Sequence, residues 1–407
     1  MCASPCQPRS HTPDLEAFRA DIDDLGKKLA AQQGPADLAH LEKIINWSRL
    51  CSWVGALTCW ISINPISIFL MSAGTMSRWT IVGHHVCHGG FDKCSDGKYN
   101  RFKFAVGSVW RRFRDWLDWM LVEAWNMEHN QLHHYSLGEV ADPDLVEHNM
   151  TQLRNMPIPV AAKYLVVGWM AATWKWWYYA PNTYKQLKVN QARRAGKFVD
   201  EATANEPCVI NAAFVVSGHP LFSSFEFFKV VLGPYFFVRF VLTPLPFFLA
   251  DHFLNGSHHY AMNALVSLAL AEVLTNLHSF LVIATNHAGD DMYRFNVHCR
   301  PHSGTFYLRQ VLSSANFSCG DDLTDFMHGW LNYQVEHHMW PQLSMLSYQK
   351  AQPLVKAICE KHGIPYVQHS VWYRLVKLVQ IMVGTHSMRK YPLAFENKAD
   401  LEVAKVE

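Results

Sequence analysis

The chain has 407 residues, half of them apolar and only 17% charged, and its formal net charge is +2. That balance excludes an intrinsically disordered chain, and the lack of a basic excess argues against a nucleic-acid partner. Histidine is the anomaly: of 23 in the chain, six (His84, His85, His88, His129, His133 and His134) fall within residues 84–134. The ten cysteines form no CxxC pair or framework spacing, so reduced thiols are expected rather than a disulfide scaffold. The first residues carry acidic side chains and no apolar core segment, unlike a secretory signal or a transit peptide.

In chain order, residues 14–44 read as a charged amphipathic helix or two, interrupted at Gly34-Pro35. Leu50 to Asn64 and Ile66 to Gly83 are apolar arms joined at Asn64-Pro65, each near the short limit for crossing the ~30 Å hydrocarbon layer. The charge inside them, Arg78, lies near the end of the second arm, within snorkelling reach of the interface. Residues Trp110 to Trp125 read as a Trp-rich helix. Val160 to Tyr179, loaded with Trp and Tyr and carrying Lys163 and Lys175, reads as an aromatic-rich helix lying at the interface rather than as a span.

A second apolar pair follows, Val230 to Ala250 and Asn263 to Ala284, joined by a turn at 251–261. Neither turn contains Lys or Arg, whereas the outer segments carry basic runs such as Arg111-Arg112-Phe113-Arg114. The predicted architecture is therefore all-α and multi-pass. Four transmembrane helices form two hairpins, with both termini and the large middle region on the cytosolic side. Arg239, Glu272 and His278, inside the second pair, should face the bundle or a substrate cavity.

Three histidine groups occupy the predicted cytosolic side. HHVCH places His84 and His88 four apart, with His85 as an i, i+3 alternative. HNQLHH holds His129, His133 and His134; QVEHH sets Gln334, His337 and His338 on one helix face. His287, in TNHAGDD, emerges on the same side as a fourth contributor. Eight imidazoles exceed one metal's needs, so two metals are expected, and nitrogen-rich open ligation without thiolates suits iron in oxygen chemistry. Asp142, Asp144 and Glu336 lie near these groups, either orienting imidazoles or capping helices. His252, His258 and His259 fall on the opposite side and are set apart. So are the loop residues His298, Cys299 and His302, and the surface pairs His11/His40 and His362/His369.

With these groups the sequence resembles the membrane fatty-acid desaturase family, whose boxes follow HxxxH, HxxxHH and (H/Q)xxHH. The finer context is similar to the front-end acyl-lipid subgroup: NYQVEHHMWP at 332–341, Asn286-His287 after the last apolar pair, and QVLSSAN at 310–316. The resemblance implies a cytosolic helical cap holding two iron ions, with O2 as co-substrate and a lipid acyl chain as substrate. It carries the ligand role to His84, His88, His129, His133, His134, His287, His337 and His338, with Gln334 at the first place of the third box and Asn286 beside His287. It also implies a desaturase domain over 49–365, flanked by an amphipathic segment at 1–48 and a tail at 366–407. Two features depart from the family pattern: His84-His85 replaces the usual His-Asp, and no His-Pro-Gly-Gly haem motif is present. A separate electron donor, a ferredoxin or cytochrome b5, is therefore expected.

Two other classes share some of these features. A di-iron hydroxylase or ketolase acting on a fatty acid, sphingolipid or carotenoid would use the same boxes. A zinc-dependent membrane hydrolase or receptor would use the histidines without oxygen chemistry.

Overall fold

The computed structural model describes residues 13–255 and 259–401, and these are mostly helical. The strand content is one short parallel pair, Tyr293–Arg294 against Arg389–Lys390. Residues His11 and His258 lie outside the described range. The chain divides into two compact units: one built from the described parts of Met1–Asp37, Leu132–Lys163 and Leu281–Glu407, the other from Leu38–Gln131 and Tyr164–Phe280.

In the second of these units the apolar arms form helices. The predicted break at Gly34-Pro35 separates Leu15–Gln32 from Pro35–Thr58, and the first arm is the distal part of the latter. The chain reverses at Asn64, whose Oδ1 accepts Ser67 N–H at 2.8 Å, with Pro65 at the first helical position. Small residues let the hairpin close tightly: a Cβ on Gly74 would meet Ser52 Oγ at 2.2 Å, and Ser48 Oγ donates to Gly74 O at 3.1 Å. Cys59 and Met71 then pack with Ala264, Leu268 and Ala271. The other face leaves Trp53, Leu57 and Ile66 62–72% exposed, an apolar girdle suited to lipid.

Two helices are long and apolar enough to cross a membrane, Ser224–Phe253 and His259–Asn286. They coincide with the predicted second pair. The joining turn is shorter than expected, because helix continues through Asp251–Asn255 and resumes at His259. Glu272 is fully buried and Arg239 pairs with it at 3.0 Å, so both face the bundle.

Two expectations are corrected in this unit. The Trp-rich stretch is not one helix: Val109–Asp115 ends in extended backbone at Trp116, and helix resumes only at Val122–Trp125. Asp118 explains the break. Its carboxylate takes Trp116 Nε1–H at 3.0 Å and Trp119 N–H at 2.7 Å, competing with helical bonding. The Arg112 guanidinium meanwhile donates to Asp118 O, Met120 O and Val230 O. Lys175 is likewise no interfacial anchor, since its ammonium is buried 2.6 Å from Glu272. Helix Val160–Trp174 instead runs on through a π-helical turn, Lys175–Tyr179, that carries Lys175 inward.

In the other unit, Leu15–Gln32 packs against Gly304–Leu312 and Met345–Lys361. The approach is close at Gly304, where a Cβ would lie 2.5 Å from Leu15 O, a backbone atom unable to swing away. Gly304→Ala should therefore cost about 1–3 kcal/mol in thermal unfolding, the usual range for overpacking. An unchanged melting temperature would show that the helices separate freely. Buried Arg309 ties this unit together, bonding Glu139, Glu396 at 2.8 Å and Val297 O at 2.7 Å. Helix Val371–Val383 joins the same unit through Arg374, which holds Asp291 at 2.8 Å and Ala288 O at 2.8 Å.

Candidate metal centre

The first box and His129 of the second meet within one unit. His84 and His88 lie on and just after the short helix His84–Cys87, following a π-helical turn at Arg78–Gly83. His129 lies in a second π-helix, Asn126–His133, rather than the regular helix that i, i+4 spacing suggests. Their rings converge, with centroids 5.0 Å (His84–His88), 5.1 Å (His84–His129) and 5.2 Å (His88–His129) apart. The Nε2 atoms of His84 and His129 approach to 3.3 Å. Nδ1 of His84 faces Thr80 O at 3.1 Å, which turns Nε2 toward His129. Trp125 stacks on His129 at 4.5 Å, and Asn130 Nδ2 donates to Cys87 O at 3.0 Å, tying the two boxes together.

The alternative ligand His85 points elsewhere. Its Nδ1 faces Ile81 O at 2.7 Å, and among the described residues it belongs to no group of metal-capable side chains. Burial pushes its pKa down to about 4.

The other unit holds the remaining imidazoles. One potential ligand atom from each of His133, His287 and His338 lies within 4.8 Å of the others. His134 stacks on His338 at 4.3 Å and meets His337 edge-on at 4.8 Å. Each side chain has a holder. His133 Nδ1 is 2.8 Å from Asp142 Oδ1, and Asp142 is itself fixed by the N–H groups of Gly138 and Asp144, both at 2.9 Å. His287 Nδ1 bonds Ser313 O at 2.9 Å, and His337 Nδ1 faces the Tyr348 hydroxyl at 3.3 Å. Gln334 reaches His287, its Nε2 lying 2.9 Å from the ring Nε2.

Burial favours the neutral, metal-binding form at His287 and His338. Burial, then the charge of His133, pushes His287 down to about 3. Burial and the surrounding imidazoles hold His338 well below its ordinary value. His133 is the exception: burial opposes its charge, but the Asp142 carboxylate outweighs burial and raises it.

The acidic residues near the boxes separate by contact. Asp142 orients an imidazole, whereas Asp144 stands 3.8 Å from His133 Nδ1. Glu336 bonds no imidazole. Its two oxygens accept from Asn316 Nδ2 at 2.8 Å and the Tyr366 hydroxyl at 2.7 Å, and burial lifts it to about 7. Asn316 Oδ1 also accepts Val335 N–H at 2.9 Å, so Asn316 and Glu336 together fix the third-box helix. Asn286 acts through its amide and backbone: Nδ2 donates to Leu331 O at 3.1 Å, and its carbonyl receives Ala315 N–H at 2.9 Å. Ser313 and Tyr348 were not singled out by spacing; a backbone carbonyl and a distant hydroxyl carry no sequence signature.

The residues set apart in the sequence stay apart. His298 pairs with Glu139 at 2.6 Å, His302 packs on Tyr135 and Phe306, and His362 pairs with Asp21 at 2.7 Å. His252 and His259 are exposed.

The donor set fits a transition metal. It is nitrogen-rich, buried and without thiolates, and both ring nitrogens of buried His338 lack a hydrogen-bond partner.

The family described as fatty acid desaturase matches residues 60–370. A relative, the NADPH-dependent stearoyl-CoA 9-desaturase of Mycobacterium tuberculosis, is 23% identical over 394 residues, covering 90% of this chain and 80% of that protein. Shorter matches include the Delta(8)-fatty-acid desaturase 2 of Arabidopsis thaliana, 32% identical over 97 residues (23% of this chain, 21% of that protein). The acyl-lipid (9-3)-desaturase of Physcomitrium patens is 29% identical over 107 residues (26% and 19%). No solved structure matches the chain.

Proposed function

The chain belongs to the fatty acid desaturase family and is an oxidoreductase, and from that premise we propose that it introduces a double bond into the acyl chain of a membrane lipid or fatty acid. Its ligands for two irons are His84, His88, His129, His133, His134, His287, His337 and His338. The observation that carries this reading is His338, buried among imidazoles with neither ring nitrogen hydrogen-bonded. When bound, the irons supply O2 reduction and the abstraction of hydrogen from an unactivated C–H bond. Two electrons come from the acyl chain and two from a donor, and the products are an alkene and two waters. We assign the donor role to a ferredoxin or cytochrome b5.

The protein's own work is orientation and exclusion of water. Thr80 O, Asp142, Ser313 O and Tyr348 each hold the Nδ1 side of one imidazole, so that Nε2 is the atom offered. Burial of these groups keeps the oxidising chemistry dry. The amide of Gln334, against His287, adds a polar contact where other branches of the family have His.

In the membrane we assign four spans in two hairpins, with the histidines and both termini on the cytosolic side. The two apolar helices Ser224–Phe253 and His259–Asn286 support the second hairpin, and the exposed apolar face of the first supports its burial in lipid.

The test is lipid analysis of a host expressing the full chain. Acyl chains lacking two hydrogens are expected. Chains that instead gain one oxygen would replace desaturation by hydroxylation. A graded prediction concerns Asp142: Asp142→Asn should weaken metal binding about 10- to 100-fold, the usual effect of losing an imidazole's orienting partner. Titration of the purified variant with ferrous iron checks it, and unchanged affinity would remove Asp142 from the site.

A further inference from the structure

The helical unit contains a second polar centre, outside the histidine groups, whose charges do not balance. The Glu272 carboxylate is shared by Lys175 Nζ at 2.6 Å, Arg239 Nε at 3.0 Å and the Tyr235 hydroxyl. Asp118, the other carboxylate of the cluster, is already bonded to Trp116 Nε1 and Trp119 N. A third cation borders Asp118 and the partners of Glu272: Arg78 interacts electrostatically with Asp118, Tyr235, Arg239 and Arg49. Three cations therefore face two carboxylates that are already engaged, and Arg49 adds further positive charge.

Arg78 is exposed within a run of buried neighbours, Met71 to Ser77 before it and Trp79 to Gly83 after it. Among the described residues its guanidinium has no hydrogen bond and no ion pair. Nη2 of Arg239 is buried and also lacks a partner. An uncompensated guanidinium is costly away from bulk water, and the exposed Arg78 side chain leaves the cluster open to an anion from outside the chain. The position identifies that anion. Arg78 directly follows the helix Pro65–Ser77, near the end of the second apolar arm and ahead of the first histidine box. Anions at that level are lipid phosphates and carboxylates, and a guanidinium fork binds either in two-point fashion.

We propose that Arg78 and Arg239, with Arg49 at the rim, bind the anionic head, phosphate or carboxylate, of the acyl lipid that the enzyme modifies. This rests on the desaturase reading and deepens it. Arg78 lies six residues before His84, joined to it by the π-helical turn Arg78–Gly83. Anchoring the head there fixes which carbons of the chain reach the first box, so position would be counted from the head.

The test uses the full chain, loaded with iron, in phosphatidylcholine nanodiscs. Dioleoyl phosphatidic acid and oleate are the two lipid probes, and retention is read by native mass spectrometry. One probe is expected to bind preferentially, which identifies the head. Arg78→Gln should weaken it about ten- to a hundredfold, the range for losing a charged hydrogen-bonding partner. Arg78→Lys should retain part of the binding, and Arg49→Gln, at the rim, should show a smaller loss without threatening the fold. In turnover, Arg78→Gln should raise KM more than it lowers kcat and spread the double-bond position, at unchanged iron content. Equal retention of both probes by the parent, Arg78→Gln and Arg239→Gln would overturn the inference. Displacement of the lipid by equimolar inorganic phosphate would also overturn it, pointing to a free-anion site. Because binding is read without turnover, lipid retention that depends on Arg78 in a chain that never desaturates would defeat the function and leave this site standing.

Discussion

Replacing His338 by alanine should abolish desaturation and strip iron from the purified chain, both to below detection. This imidazole lies at the centre of its unit's group, within reach of His133 and His287 and stacked on His134. Its own nitrogens have no hydrogen bonds to lose. The variant should therefore fold: truncation opens a small cavity, with a cost within the ordinary range of about 0.5–3 kcal/mol for single substitutions. His298→Ala is the matched comparison. It removes a histidine on the same unit that bonds only Glu139, and it should keep both iron and activity. Equal losses in the two variants would mean that the histidines act through folding rather than through metal.

The largest stability effect is expected at Glu272. Glu272→Leu leaves Lys175 and Arg239 buried without their carboxylate and removes the acceptor of the Tyr235 hydroxyl. Removing one member of a buried pair costs about 3–5 kcal/mol, since the desolvated charge that remains is uncompensated. Thermal unfolding in detergent measures it. The double variant Glu272→Leu/Lys175→Met should recover part of the loss, because it removes the stranded ammonium. A double variant that is less stable by the sum of the two single effects would show that the groups do not interact.

Much of the candidate site was legible because imidazole spacing is a strong local signal. HHVCH, HNQLHH, QVEHH and the isolated His287 all reach buried, histidine-rich surroundings. The second apolar pair was equally legible, since long uninterrupted apolar runs leave few alternatives to helix. What escaped were effects of side-chain contacts that spacing does not encode, many of them distant in sequence. The break at Trp116 depends on Asp118 and on an Arg112 guanidinium that reaches Val230 O. Lys175 looks interfacial until its partner Glu272, nearly a hundred residues on, is seen against it. Glu336 sits beside two histidines in the sequence yet turns to Asn316 and Tyr366, while Asp142 turns to His133. The π-helical turns at Arg78–Gly83, before the first box, and Asn126–His133, within the second, also re-aim side chains, and a spacing rule built on regular helix does not register them.

The central claim is that the histidine groups hold iron for oxygen chemistry on an acyl chain. Metal analysis of the full chain, purified from a host grown with both iron and zinc, tests it most directly. Two irons per chain, lost together in His133→Ala and His338→Ala, is the predicted result. One zinc per chain and no iron would contradict it.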